Sequence, residues 1–184
     1  MHFLAQLAAF ATAATVVSAN TMTFVNQDDT PRHIVFTPSE GYQPVNSVDV
    51  AGNGQVTVDI PTSWIGNAYS VSQGAQDAPG MLAEVTFQGW NDLTYFDVSA
   101  IVNPNDHVGV KQMFPATEMN ATPKSSVSGC EVFPCNTAYY QPDDVQTVST
   151  KETDIIITLG TPSNVGSRDV ESQRVSRNFV LGKF

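Results

Sequence analysis

Short segments in which apolar and polar residues alternate recur along the chain from residue 20 to residue 160. The pattern is clearest in "GQVTVDIP" (54–61), whose valines and isoleucine share one face while Thr57 and Asp59 share the other. Nearly every gap between such segments contains Gly, Pro, Asn or Asp, and no segment shows the 3.6-residue apolar stripe of an amphipathic helix. The sequence therefore predicts an all-β sandwich with short loops and little helix.

The two ends of the chain differ in composition from this middle part. Residues 1–19 contain an apolar run followed by small residues, which is the pattern of a secretory signal peptide. Residues 161–184 carry four basic and two acidic side chains and lack alternation, so a flexible tail is expected there. We therefore expect one β-sandwich domain over residues 20–160, in a protein that is secreted to the extracellular space or the cell wall.

The charge of the chain limits the partners that it can bind. Its formal net charge is -10, and the only Lys or Arg residues between positions 20 and 161 are Arg32, Lys111, Lys124 and Lys151. A nucleic-acid surface needs a basic stripe, so nucleic acid is excluded as a partner. No apolar run approaches the ~18 residues of a membrane span, so we expect no membrane insertion. The protein is expected to be a monomer.

Two cysteines and one glycosylation motif are the candidates for covalent modification. Cys130 and Cys135, in "GCEVFPC", are predicted to form a disulfide with each other, because no histidine or third cysteine lies near enough in sequence to favour a metal site. Asn120 begins the only N-glycosylation sequon, Asn120-Ala121-Thr122. No motif for a cofactor or a metal is present.

Carboxylates are the remaining candidates for chemistry, because no nucleophile, zinc or phosphate-binding motif occurs. Glu84 lies in "LAEVTF" (82–87) and Asp97 in "YFDVSAI" (95–101), each on the more polar face of its predicted strand. The two acids are either ordinary solvent-facing residues or a pair able to act on a glycosidic bond, and sequence spacing leaves both interpretations open. Asp143 and Asp144 follow Pro142, in a setting typical of a turn.

Several of these segments together resemble the thaumatin-like (osmotin) family. The resemblance is carried by "MLAEVTFQGWNDLTYFDVSAIVNPN", by "CNTAYYQPDDVQT" with "TDIIITLG", and by the opening "MTFVNQDDTPRHIVF", in the family's order over residues 21–160. It is closest to the small, cysteine-poor, secreted fungal members of the antigenic or yeast-phase-specific type. The resemblance implies a thaumatin-like β-sandwich with an acidic cleft.

The resemblance also assigns residues to that cleft. Glu84, Asp97 and Asp143 or Asp144 fall on three of the family's five cleft positions, whereas Val102 replaces the middle Asp and the family's Arg is missing near Gln73. The aromatic side chains expected to stack on sugar rings include Trp90 and Tyr95.

Three functions follow as hypotheses. The first is a secreted, non-catalytic protein that binds cell-wall polysaccharide of the β-1,3-glucan type through this cleft. The second is a host-facing effector, antigen or adhesin that binds an extracellular host protein. The third is a weak endo-β-1,3-glucanase with Glu84 as the acid and Asp97 as the nucleophile or base.

Overall fold

The computed structural model describes residues 20–162, and within this range the chain folds into eleven β-strands and two short 3-10 helices. The strands are β1 (Asn20–Asn26), β2 (Arg32–Pro38), β3 (Val48–Val50), β4 (Gln55–Ile60), β5 (Ile65–Ser72), β6 (Leu82–Thr86), β7 (Thr94–Ser99), β8 (Val110–Pro115), β9 (Ser128–Gly129), β10 (Val148–Thr150) and β11 (Asp154–Leu159). The helices span Trp90–Asp92 and Ala116–Glu118, and neither is long and apolar enough to cross a membrane. The prediction of an all-β fold with little helix is confirmed. The predicted signal peptide and residues 163–184 of the predicted tail lie outside the described residues.

The strands form two sheets that pack against each other. Sheet A has the order β4-β1-β11-β8-β9, and sheet B has the order β10-β7-β6-β5-β2-β3. In sheet A, β1 pairs with β11 in parallel, whereas the other strand pairs of the two sheets are antiparallel. The first and the last strand of the described range are therefore neighbours in the interior of one sheet.

The core lies between the two sheets and is built from the apolar face of each alternating strand. Phe24 of sheet A contacts Phe36 of sheet B edge to face, with ring centroids 5.7 Å apart, and Phe36 contacts Trp64 in the same way at 6.4 Å. In β6 and β7 the inward residues are fully or almost fully buried: Ala83, Val85, Phe96 and Val98. The alternation read from the sequence therefore assigns the inner and outer faces of β6 and β7 correctly.

The turn between β1 and β2 contains a buried ion pair that the sequence does not reveal. Arg32 is 3% exposed, and its two terminal nitrogens donate to the Asp28 carboxylate at 2.7 and 2.8 Å. The hydrogen bond from Arg32 is the main reason that the pKa of Asp28 is lowered. The same carboxylate accepts a hydrogen bond from the Thr161 amide at 3.1 Å, so it also holds the chain that follows β11.

The predicted disulfide is confirmed, since Cys130 and Cys135 are bonded to each other directly after β9. The Cys130 amide donates to the Lys111 carbonyl in β8, which ties the disulfide loop to sheet A.

We predict that Asp28→Asn lowers the free energy of unfolding by about 3 kcal/mol at neutral pH, because it leaves the buried Arg32 charge without its partner. Since the folded pKa of Asp28 is below its unfolded value, the stabilisation is present at neutral pH and is lost as the pH falls through that lowered pKa. Urea unfolding at pH 7 and at low pH measures both effects.

The matched control is Asp49→Asn, which removes the exposed His33–Asp49 pair, whose N–O distance is also 2.7 Å. An exposed pair contributes at most about 1 kcal/mol, so this variant should unfold close to wild type. Equal losses in the two variants would contradict the buried ion pair as a stabilising element.

Candidate functional site

Glu84 and Asp97 lie directly opposite each other on neighbouring strands. The register of β6 and β7 pairs Glu84 with Asp97, and alternation points both side chains away from the core, on the outer face of sheet B. Directly opposed residues have Cβ atoms about 5 Å apart, so the two carboxyl groups must interact. The two acids that lie 13 positions apart in sequence are therefore a pair in space.

The environment of Asp97 raises its pKa to about 7. Partial burial of this carboxyl is the largest cause, followed by the charge of the Glu84 carboxylate opposite it. The Thr147 hydroxyl, which donates to Asp97 Oδ2 at 3.2 Å, acts in the opposite direction. Asp97 Oδ1 is buried, and no amide, amine or hydroxyl of the described residues donates to it. Near neutral pH Asp97 is therefore partly protonated, beside the Glu84 carboxylate.

Polar side chains extend the pair into a row across sheet B. The strand registers pair Thr37 with Asn67, Asn67 with Glu84, and Glu84 with Asp97, while Thr147 reaches Asp97 through its hydroxyl. We call these five residues the polar row. Because cross-strand neighbours lie ~5 Å apart, the row presents a continuous line of hydrogen-bonding groups on the outer face.

An open depression of about 290 Å³ surrounds the centre of the polar row. We call it the Glu84 depression, and its lining consists of Ser39, Ile65, Gly66, Asn67, Glu84, Val85, Thr86, Tyr95, Asp97 and Thr147. No Lys, Arg or His is among these residues. Tyr95 forms part of the wall, and its hydroxyl donates to the Trp90 carbonyl at 3.2 Å.

The remaining residues predicted for the cleft lie outside this depression. Trp90 is 76% exposed and sits in the loop between β6 and β7. Asp143 is exposed, and Asp144 accepts hydrogen bonds from the amides of Tyr140 and Gln141 at 2.8 and 2.9 Å, as expected of a turn residue. The structure therefore brings together Glu84, Asp97 and Tyr95, but neither Trp90 nor the later acidic pair is part of the lining.

Asn67 and Thr147 belong to the site although their sequence context does not distinguish them. Each is a polar residue in or beside a strand. The pairing of β5 with β6 brings Asn67 to the carboxyl pair, and the position of the chain before β10 brings Thr147 to it.

Asn120, the predicted glycosylation site, is exposed just after the second 3-10 helix. Within residues 20–162 no group of three or more His, Cys, Asp or Glu side chains is arranged to hold a metal ion.

We predict that Asp97→Asn makes the protein more stable than wild type at pH 8, by about 2 kcal/mol, with the difference shrinking toward pH 4. The pKa of Asp97 is higher in the folded protein than in the unfolded chain. The free energy of unfolding of wild type therefore falls as the pH rises from the unfolded pKa of 3.8 through the folded pKa of about 7. The uncharged amide of the variant does not titrate, so it causes no such fall. Urea unfolding from pH 4 to pH 8 measures this.

The control for this experiment is Asp143→Asn, which removes an exposed carboxylate outside the depression. It should leave the pH dependence of stability unchanged. A wild-type slope retained in Asp97→Asn would contradict the raised pKa of Asp97.

Comparisons with known proteins find similarity to an antigenic protein by sequence and to a protein elicitor by fold. It is 50% identical over 142 residues to the antigenic protein SchS21 of Stachybotrys chartarum, a match that covers 77% of this chain and 95% of that protein. The crystal structure of the protein elicitor MoHrip2 from Magnaporthe oryzae is similar at a TM-score of 0.53 and 16% identity, covering 78% of this chain and all of that one. No family model matches the sequence.

These findings correct the resemblance to the thaumatin-like family, which is wrong. The structural neighbour, MoHrip2, has a fold unlike that of thaumatin, and the sequence relative is SchS21. The motifs that suggested the resemblance, around Glu84 and Asp97, form one antiparallel hairpin, and alternating strands of this kind occur in many unrelated sandwiches. Because the match is 50% identical and covers 95% of that protein and 77% of this chain, the chain belongs to the family of the antigenic protein SchS21.

Proposed function

We propose that this chain is an extracellular protein that binds a hydroxyl-rich polysaccharide on the outer face of sheet B without cleaving it. The observation that carries the proposal is the polar row in the Glu84 depression, where acidic, amide and hydroxyl groups lie side by side next to Tyr95. An open depression with a few convergent polar groups and a perturbed carboxyl is the usual form of a ligand site.

The chemistry of the row matches hydroxyl groups. A partly protonated Asp97 beside Glu84 offers both a donor and an acceptor near neutral pH, as does the Asn67 amide, while the Thr147 hydroxyl donates its proton to Asp97. Sugar hydroxyls also donate and accept, so each can pair with this surface, and the Tyr95 ring can contact the apolar face of a sugar. The acidic pair, the absence of a basic residue from the depression and the net charge of -10 disfavour anionic polymers.

The contact between the carboxyl groups disfavours glycoside hydrolysis. Glycosidases hold their two carboxyl groups roughly 5 Å or more apart, so that the sugar or a water molecule fits between them. Here Glu84 and Asp97 are direct cross-strand neighbours, and the charge of Glu84 helps to raise the pKa of Asp97 to about 7, which favours close contact over a gap that holds a sugar. The same pair is therefore better suited to binding a sugar than to cutting one.

Two observations support an extracellular location. The Cys130–Cys135 disulfide is typical of proteins that leave the reducing cytosol. The name of SchS21 describes an antigen, a kind of molecule that an immune system meets outside the cell that makes it.

Retention on insoluble polysaccharides tests the proposal. Wild type should be retained on at least one neutral polysaccharide of a panel that starts with β-1,3-glucan and includes β-1,4-glucan, with an acidic polysaccharide as the negative arm. Glu84→Gln with Asp97→Asn replaces both carboxyl groups with uncharged amides, and we predict that it weakens retention about tenfold.

Asp59→Asn with Asp154→Asn is the matched control, because it removes two exposed carboxylates from sheet A. It should leave retention unchanged. If the Glu84/Asp97 variant is retained as strongly as wild type, the Glu84 depression is excluded as the polysaccharide-binding site.

Trp90 favours a second candidate, the binding of a protein partner outside the cell. Its loop is anchored at Gln88, whose side chain donates to Asn20 Oδ1 at 2.7 Å and accepts from the Ser63 amide at 2.8 Å. Gln88, Asn91 and Asp92 all have positive φ, a strained backbone that is frequent at functional sites. A rigid, exposed Trp is a common anchor of protein interfaces.

Affinity capture from the extracellular proteins of a host tissue tests this candidate. A partner that binds wild type and Val145→Ala, but not Trp90→Ala, would support it, since Val145 is also highly exposed, at 89%. Capture that does not depend on Trp90 would exclude this loop as the binding site for the partner.

A further inference from the structure

A second depression lies on the same face of sheet B as the polar row. It has a volume of about 350 Å³, and its lining includes Pro31, His33, Asp49, Val71, Gln73 and Gly74. We call it the His33 depression. In the strand register, His33 pairs with Asp49 in β3 on one side and with Val71 in β5 on the other. The polar pair of His33 and Asp49 therefore lies at the β3 edge of sheet B.

The side chains of the His33 depression are suited to the same class of ligand. His33 Nδ1 is hydrogen-bonded to Asp49 Oδ1 at 2.7 Å, which fixes the orientation of the imidazole ring. Its Nε2 has no hydrogen-bond partner among residues 20–162, so it is available to a ligand hydroxyl. Pro31 and Val71 add apolar surface beside this polar pair.

A stripe of side chains along β2 connects the two depressions. His33, Val35 and Thr37 alternate onto the same face of the strand, and Thr37 is the cross-strand neighbour of Asn67 in the polar row. The four residue-to-residue steps from His33 to Thr37 cover about 13 Å of strand. Val35 is half-buried and Thr37 is exposed, so the surface along β2 is accessible between the two depressions.

The neighbouring strand β5 does not offer an accessible surface between the two depressions. Tyr69, which pairs with Val35, is buried at 9% exposure, and its hydroxyl donates to Asp77 Oδ1 at 3.1 Å. The loop after β5 is therefore tied to the sheet at this point. Because Tyr69 offers little surface, the side chains of β2 are the more accessible connection between the two depressions.

We propose that the Glu84 depression and the His33 depression are two subsites for one linear polysaccharide chain, which runs along the exposed side chains of β2. This inference rests on the proposed function and adds that the ligand is an extended chain of several sugar units. Each depression has about the volume of the smallest ligand pockets, which fits a part of a polymer rather than the whole of a ligand. Occupation of both subsites by one chain gives long ligands an advantage that short ones lack.

Calorimetric titration with linear oligosaccharides of increasing length, from two to seven units, tests the inference. The oligosaccharides are taken from the polysaccharide that retains wild type in the panel above. We expect wild type to bind the longest chains about tenfold more tightly than the shortest. His33→Ala should abolish this gain and leave the affinity for the shortest chains unchanged, while His33→Gln, which keeps a donor and an acceptor, should restore part of it.

The matched control is His107→Ala, because His107 is exposed and lines neither depression. It should keep the full dependence on chain length. Equal affinity of wild type for all lengths, or equal loss in His33→Ala for short and long chains, would overturn the two-subsite inference and leave the proposed function intact. Absence of binding to every oligosaccharide and every polysaccharide of the panel would overturn the proposed function, and this inference with it.

Discussion

The parallel pairing of β1 with β11 is the contact on which the rest of the structure depends. It joins residues 21–26 to residues 154–159, so the two ends of the described range must come together to complete sheet A. The Asp28 carboxylate reinforces this closure, since it binds Arg32 after β1 and the Thr161 amide after β11. When sheet A is complete, it covers the inner face of sheet B. The outer face of sheet B then remains accessible to a ligand.

The properties of the candidate site follow from placing two acids on one row of that outer face. A like-charged pair directly across two strands is unfavourable while both groups are ionised. The pair of Glu84 and Asp97 avoids that cost by keeping a proton, as the raised pKa of Asp97 indicates. Hydrogen-bonding neighbours, Asn67 and Thr147, surround the pair in place of a basic residue. Such an arrangement leaves the carboxyl groups available to a neutral ligand instead of binding them in an internal ion pair.

The failure of the thaumatin-like interpretation has a physical cause. The motifs that suggested it are alternating strand segments with one acid each, and a sheet of any topology can be built from them. Two positions that the resemblance required, an Arg and a middle Asp, are absent from this chain, and Asp144 serves as a turn residue. Topology depends on which strands pair, and short motifs contain little information about pairing.

The sequence by itself determined the all-β class, the inner and outer faces of β6 and β7, and the pairing of Cys130 with Cys135. Each of these depends on local physics, namely a period of two along a strand or a short loop between two thiols. Only the tertiary structure decided that Glu84 faces Asp97, that Asn67 and Thr147 join them, and that Trp90 and Asp143 do not line the depression. Those contacts are set by strand register and sheet order, which arise from packing between residues distant in sequence and leave no local signal.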